Sequence, residues 1–223
     1  MLVRLILFLI VGFAAYAGVR WWRARKLLGS GGLNVIELNE MMKLAKKAPR
    51  LDAALKMRVL IVDTAAPDAK RRVAERVDDV LRRLAKQEQI QRQIRTALAG
   101  IDTKKLAAQI DDARVEAETA SDVERRDKER ERLRGLETQA EQAERLTGRQ
   151  RDLDASAERI LVELKNLHLA MLDASSSAAG LESEPVKHAL SELEDTSERL
   201  RQEASAEDEV NRLLRAASQR ARQ

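Results

Sequence analysis

The side chains best suited to chemistry in this sequence are its two histidines, His168 and His188. Histidine binds metals and carries protons near neutral pH, and Glu192 lies one helical turn after His188. A lone histidine beside a helix-pairing surface is nevertheless usually a flanking residue. The sequence also lacks a glycine-rich phosphate loop, a G-x-S-x-G turn and an H-E-x-x-H helix. We therefore expect no enzymatic activity, no cofactor, no small-molecule substrate, and no catalytic, cofactor-binding or metal-binding residues.

The composition indicates long helices instead of a compact globular core. Charged residues make up 35% of the 223 residues, and aromatic residues only 2%. All five aromatic residues precede residue 23, although aromatic side chains normally supply much of a core's buried area. Alanine, glutamate, leucine, arginine and glutamine dominate the rest, as in coiled coils. We predict an all-α protein. The absence of cysteine excludes disulfides and thiolate metal sites, but it does not identify the compartment.

The net charge of +4 is concentrated near the N-terminus. Residues 20–50 contain eight lysines and arginines against two glutamates. A short basic segment beside an apolar run is typical of contact with anionic lipid headgroups. The later charged run, ERRDKERERLR, alternates acids with bases and has no aromatic residue on which a base could stack. We therefore expect membrane lipids, and no nucleic acid, among the partners.

The first 26 residues are predicted to be a transmembrane anchor with a basic collar. Leu2 to Trp22 is almost entirely apolar, and as a helix about 20 residues span the roughly 30 Å of a bilayer core. The predicted membrane-interface residues are Arg20, Trp21, Trp22, Arg23, Arg25 and Lys26. Because positive charge favours the cytoplasmic side, the C-terminal part is expected in the cytoplasm of a bacterium, beneath its inner membrane.

The competing interpretation of the N-terminus is a cleaved signal peptide. Ala-Tyr-Ala before Gly18 resembles a signal-peptidase site, and the apolar run is short enough. Against this, only Arg4 precedes the run, and the mature protein would begin with a dense basic cluster that resists translocation. The retained anchor is favoured, and a buried soluble helix is the least favoured alternative.

Residues 27–33, which include the sequence GSGG, are predicted to be a flexible linker. Residues 34–66 are predicted to form short juxtamembrane helices, the first with Val35, Leu38, Met42 and Ala45 on one face and the second apolar through residues 59–62. Pro49 and Pro67 end them. The basic residues of the first helix predict either a membrane-associated helix or a solvated face, and both remain open.

Residues 67–132 are predicted to form a first helical hairpin. Val73, Val77, Val80 and Leu84 recur at helical spacing, and Gln87 and Gln91 interrupt this apolar line. Gly100 and Asp102 provide an end and a cap, which predicts a tight hairpin around residues 99–103. Such a hairpin leaves Val73 and Val77 without an apolar partner, so the helices splay there or these valines pack against the 59–62 segment.

Residues 133–223 are predicted to form a second hairpin, which turns near residue 181 between two apolar lines. This fold would place Met171 near Leu193, Leu164 near Leu200, and Leu153 near Val210. The predicted helix-pairing residues are Leu153, Ile160, Leu164, Leu167, Met171, Leu190, Leu193, Leu200 and Val210. Many positions on the apolar lines are alanines, which bury little area each, so a second copy or another coiled-coil protein is the expected partner.

These features predict a membrane-anchored cytoplasmic scaffold or adaptor that acts through protein–protein contacts. One alternative is a membrane-remodelling or envelope-stress protein that polymerises on the bilayer. In that case the basic collar and the apolar helix of residues 51–62 would contact lipid. Another alternative is a stalk subunit of a larger membrane complex.

Overall fold

In a computed structural model of the chain, the structure describes residues 33–67, 69–175 and 183–205. These residues form six α-helices and no strand. The helices are α1 (Val35–Ala45), α2 (Pro49–Thr64), α3 (Lys70–Ala99), α4 (Thr103–Thr119), α5 (Val123–Ser175) and α6 (Glu184–Ser205). The prediction of an all-α protein is confirmed for them. None of these six helices is both long and apolar enough to span a bilayer. The predicted anchor, its six membrane-interface residues and linker residues 27–32 lie outside the described ranges.

Local capping explains where several helices begin. Asn34 Oδ1 accepts a hydrogen bond from the Glu37 N–H (2.8 Å), and Glu37 Oε2 accepts one from the Asn34 N–H (3.1 Å). This reciprocal pair satisfies two amide groups that have no partner inside α1. Pro49 occupies the first turn of α2, where its missing N–H costs nothing. Asp102 Oδ1 accepts from the N–H groups of Lys104 and Lys105 (3.1 Å each) at the start of α4.

The described chain divides into two units, and α3 and α5 contribute residues to both. The first unit contains residues 33–85 and 157–199. The second contains residues 86–156 and the end of α6 from residue 200.

In the first unit, α1 and α2 pack on the other helices. α1 contacts α2. Arg50 of α2 bonds to Glu158 of α5 (2.7 Å), and Arg58 of α2 pairs with Asp78 of α3. The largest buried apolar side chains of this unit are Leu38, Leu51, Ile61, Leu81, Leu84, Ile160, Leu164, Leu167 and Leu193. Residues 34–66 therefore belong to the helical core of this unit.

The helix of residues 51–62, for which lipid contact was part of one alternative, packs on other helices in this unit. Leu51, Leu55, Ile61 and Val62 are all buried, and only Leu60 among the large apolar residues of α2 is exposed. The helix is apolar because it faces other helices. In α1, Met41 is buried and Met42 only partly, so the buried face is rotated slightly from the predicted one.

α6 runs parallel to α3 in the first unit. Arg76 pairs with Glu194, and the later Arg83 donates from Nη1 to the carbonyl oxygen of Ser197. Val73 and Val77, for which no apolar partner was evident on the following helix, are fully buried in this unit. α2 and α6 both contact α3 in this unit, and these contacts explain why solvent does not reach the two valines.

The second unit is built from the end of α3, α4 and the first part of α5. Ile90 and Ile94 of α3 form a buried cluster with Leu146 and Leu153 of α5. Gln87 bonds to the Leu153 carbonyl oxygen, and Gln91 and Arg95 both reach Asp154, so this part of α3 packs on α5.

The second unit also pairs α4 with α5 in antiparallel fashion. Arg114 lies 3.6 Å from Glu137, and Glu116 lies 3.7 Å from Arg132. The chain therefore reverses at residues 120–122, where Arg126 donates from Nε and Nη2 to the Ala120 carbonyl oxygen (3.2 and 3.0 Å).

This topology differs from the predicted hairpin around residues 99–103. The helix break is present there, but α3 and α4 both pack on α5. The physical reason is area: the leucines of α5 offer α3 more apolar surface than the alanine-rich face of α4 does.

Candidate helix-contact surfaces

An ion pair between α2 and α3 is the most deeply buried polar contact in the first unit. The Arg58 and Asp78 side chains are both inaccessible to solvent. Arg58 donates from Nε to Asp78 Oδ1 and from Nη2 to Asp78 Oδ2 (3.0 Å for the second bond). Asp78 Oδ2 also accepts the backbone N–H of Leu33 (3.3 Å). One carboxylate therefore joins the chain just before α1 to both α2 and α3.

The third nitrogen of the Arg58 guanidinium group is not satisfied. Arg58 Nη1 is buried and has no hydrogen-bond partner in the part of the chain that the structure describes. Removing charges from water costs several kcal/mol per ion, and only close, well-hydrogen-bonded geometry offsets that cost. The pair therefore contributes little net stability, but loss of either partner would leave an uncompensated buried charge.

Sequence reasoning did not identify this pair, although a signal was present. Arg58 stands three and four residues from Leu55, Ala54, Ile61 and Val62, all on the buried face of α2. Asp78 occupies the corresponding kind of position on α3, between Ala74 and Leu81. One basic and one acidic residue on otherwise apolar helix faces indicate a buried pair.

A second polar layer crosses the α3–α5 contact in the second unit. Gln87 Nε2 donates to the carbonyl oxygen of Leu153, and Gln91 Nε2 donates to Asp154 Oδ1 (3.2 Å). Arg95 Nη2 donates to Gln91 Oε1 (3.1 Å) and lies 3.6 Å from Asp154. Gln87 and Gln91 were predicted to interrupt the apolar line, and in the structure they are buried and bond to α5. Polar groups at such positions favour one register.

The predicted helix-pairing residues fall into three groups. Those of α5, together with Leu193 of α6, are buried, and Leu190 is partly buried. Leu153 packs with Ile90 and Ile94 of α3. Val210 and the side chain of Leu200 lie outside the described part, so the predicted Leu153–Val210 and Leu164–Leu200 contacts stay predictions.

An exposed apolar stripe lies on α5 in the first unit, and we call it the α5 stripe. It consists of Val162, Leu169 and Leu172, whose exposed fractions are 53%, 60% and 46%. Val162 and Leu169 are seven residues apart and so lie on nearly the same side of the helix, with Leu172 beside them. Because the buried residues of α5 already pack inside the chain, this stripe is separate from the internal helix contacts.

Neither histidine belongs to a possible metal-binding group among the described residues. His188 Nε2 is 3.3 Å from Glu192 Oε1 on the exposed face of α6. Within residues 33–67, 69–175 and 183–205, no three acidic, histidine or cysteine residues are placed to hold a metal ion. The clearest electrostatic shift is at Glu37, where the Asn34 backbone hydrogen bond, aided by Arg82, lowers the carboxyl pKa from its usual value.

Comparisons with known proteins add no functional information. No protein-family description, curated protein or solved structure matched the chain. Functional inference therefore rests on the residues and contacts described above.

Proposed function

We propose that this protein is a membrane-anchored scaffold or adaptor that acts through protein–protein contacts. The sequence supports the anchor through the apolar run of residues 2–22 and the basic collar that follows it. The helical part is compatible with the scaffold role because several of its ion pairs and its buried apolar residues join one helix to another.

The observation that carries this proposal is the α5 stripe. Single exposed apolar residues are normal on soluble proteins, but three that share one helix face are suited to a helix groove on another chain. Lys165 and Asn166 lie between them and are exposed. The contact area therefore combines apolar anchors with polar groups, as interfaces between separately folded proteins do.

The test compares two full-length variants that lose exposed apolar side chains in different places. V162N/L169Q/L172Q removes the α5 stripe, and V115N/V123N removes two exposed valines of the second unit. Each protein is captured from detergent-solubilised membranes and its associated proteins are quantified. Light scattering then gives the mass of the complex. We expect the stripe variant to lose associated proteins or copies of itself that the control retains. Equal recovery from both variants would contradict the assignment of the stripe.

A further inference from the structure

The outward face of α1 and the turn after it carry a group of unpaired positive charges. Lys43, Lys46 and Lys47 are all exposed. Within the described residues, none of the three takes part in a salt bridge, whereas Lys56, Arg71 and Arg145 each pair with an acid one helical turn away. Three lysines within five residues therefore present their charge to the surroundings.

An exposed isoleucine lies on the same face. Ile36 is 71% exposed, the largest exposed fraction among the large apolar residues described. It lies seven residues before Lys43, which places these two residues on one side of α1, and Lys46 and Lys47 follow in the turn after the helix. Glu40 is the one acidic residue exposed on this face, since Glu37 bonds to Asn34 and contacts Arg82. An apolar residue beside lysines is typical of helices that lie in a membrane interface.

The orientation of this face is fixed by the opposite side of α1. Leu38, Met41 and Leu44 are buried against the first unit. The preceding residue Leu33 is also buried, and its N–H bonds to Asp78. α1 therefore cannot turn its lysines inward without losing its own core contacts and the bond to the buried ion pair.

We propose that Ile36, Lys43, Lys46 and Lys47 bind the anionic headgroup surface of the membrane that holds the N-terminal anchor. This inference depends on the proposed anchor. Leu33 follows the basic collar by seven residues, which can span about 25 Å at most. The tether thus keeps the lysines at high effective concentration near one leaflet, where an anionic surface attracts them within a Debye length of about 8–10 Å.

The absence of cysteine from the chain allows a direct test with the full-length protein. N39C places one thiol on the exposed face of α1, and an environment-sensitive fluorophore is attached to it. The labelled protein is reconstituted into vesicles of phosphatidylcholine with or without phosphatidylglycerol. With the anionic lipid, we expect blue-shifted emission and at least about threefold less quenching by a soluble quencher. High salt should reverse both changes.

Two charge variants identify the residues responsible. K43Q/K46Q/K47Q should abolish the lipid-dependent shielding of the label. K104Q/K105Q/K128Q removes the same charge from exposed positions of the second unit and should leave it unchanged. Shielding that is equal in both lipids, or that is equally sensitive to both variants, would overturn the inference. Shielding that persists in the first variant would also overturn it.

Flotation of the same vesicles separates this inference from the proposed anchor. Protein that floats with both lipids but keeps an exposed label contradicts only the α1 contact. Protein that floats only with the anionic lipid, with a shielded label, supports the α1 contact and contradicts the anchor. Protein that floats with neither overturns both.

Discussion

The buried ion pair shows how a single residue can decide whether the first unit holds together. Asp78 compensates the Arg58 charge and also accepts the Leu33 N–H. We expect Asp78→Ala to lower the free energy of unfolding by about 3–5 kcal/mol, because it leaves a guanidinium buried without a counter-charge. Chemical denaturation followed by circular dichroism measures this change.

The neighbouring residue provides the matched control. Asp79 pairs with Arg82 at the surface, where an ion pair contributes about 0–1 kcal/mol, so Asp79→Ala should have a small effect. Replacing both members of the buried pair, as Arg58→Met with Asp78→Leu, should recover most of the loss. Similar losses in Asp78→Ala and Asp79→Ala would show that the buried pair is not the cause.

Glu37 gives the start of α1 a dependence on pH. The hydrogen bond from the Asn34 N–H, followed by the contact with Arg82, lowers the folded-state pKa of Glu37. The contribution of Glu37 to the stability of the folded state is therefore present at pH values above its pKa in the unfolded chain. This contribution is lost as the pH falls through its lower pKa in the folded chain. The protection factors of the first-turn amides of α1, which correct for the intrinsic pH dependence of amide exchange, should fall over that acidic range. In Glu37→Gln this fall should be weaker, and an unchanged profile in that variant would contradict the assignment.

At the scale of elements, the break between α3 and α4 is held by a cap. Asp102→Ala removes the carboxylate that accepts two N–H groups, and we expect a loss of about 1 kcal/mol in unfolding free energy. Thermal unfolding followed by circular dichroism tests it.

Substitution of Gly100, two residues before Asp102, should not lower the free energy of unfolding. Its backbone is not in the left-handed region, and an added Cβ would meet the Ala97 oxygen at an ordinary 3.5 Å. Gly100→Ala is therefore expected to be neutral or to stabilise by up to about 1 kcal/mol. A marked loss would mean that this residue needs the freedom of glycine.

The polar layer between α3 and α5 offers a second comparison of neighbouring positions. Gln87 Oε1 is buried and has no partner among the described residues, whereas both ends of the Gln91 amide are bonded. Because an unsatisfied buried acceptor costs about 1–3 kcal/mol, Gln87→Leu should raise the unfolding free energy by about 1 kcal/mol. Gln91→Leu should give no such gain. Denaturant unfolding measures the free energy of unfolding of both variants. A larger gain from Gln91→Leu than from Gln87→Leu would contradict this account.

Most of the helices, and the faces that they bury, could be predicted from the sequence because both depend on local spacing. The predicted helix-pairing residues of α5, from Leu153 to Met171, are buried as their spacing indicates. Partner choice could not be predicted in the same way. Gly100 and Asp102 mark a helix break, but only the non-local match of Ile90 and Ile94 with Leu146 and Leu153 shows that α3 pairs with α5. The chain reversal at Ser121 and Asp122 contains no glycine that would have predicted it.

At the scale of the whole molecule, charge and apolar character are divided along the chain. The longest apolar run and the basic collar precede residue 27, and the described helices carry interspersed acids and bases. In the proposed function, residues 1–26 determine where the protein lies, and the described helices determine what it contacts. The lysines of α1 would join these roles, since they belong to a folded helix yet extend the basic character of the collar.

Orientation in the membrane is the prediction on which this division of roles depends. The four basic residues of the collar exceed the single Arg4 before the apolar run, so the C-terminal part should remain in the cytoplasm. A reporter that is active only in the periplasm, fused after Gln223, should be inactive, and a reporter that is active only in the cytoplasm should be active there. Exchanging the collar residues Arg20, Arg23, Arg25 and Lys26 for glutamine should redistribute activity towards the periplasmic reporter, because the charge difference across the apolar run then disappears. Periplasmic reporter activity in the unmodified chain would place the helices on the other side of the membrane, and a cytoplasmic scaffold could not then be its function.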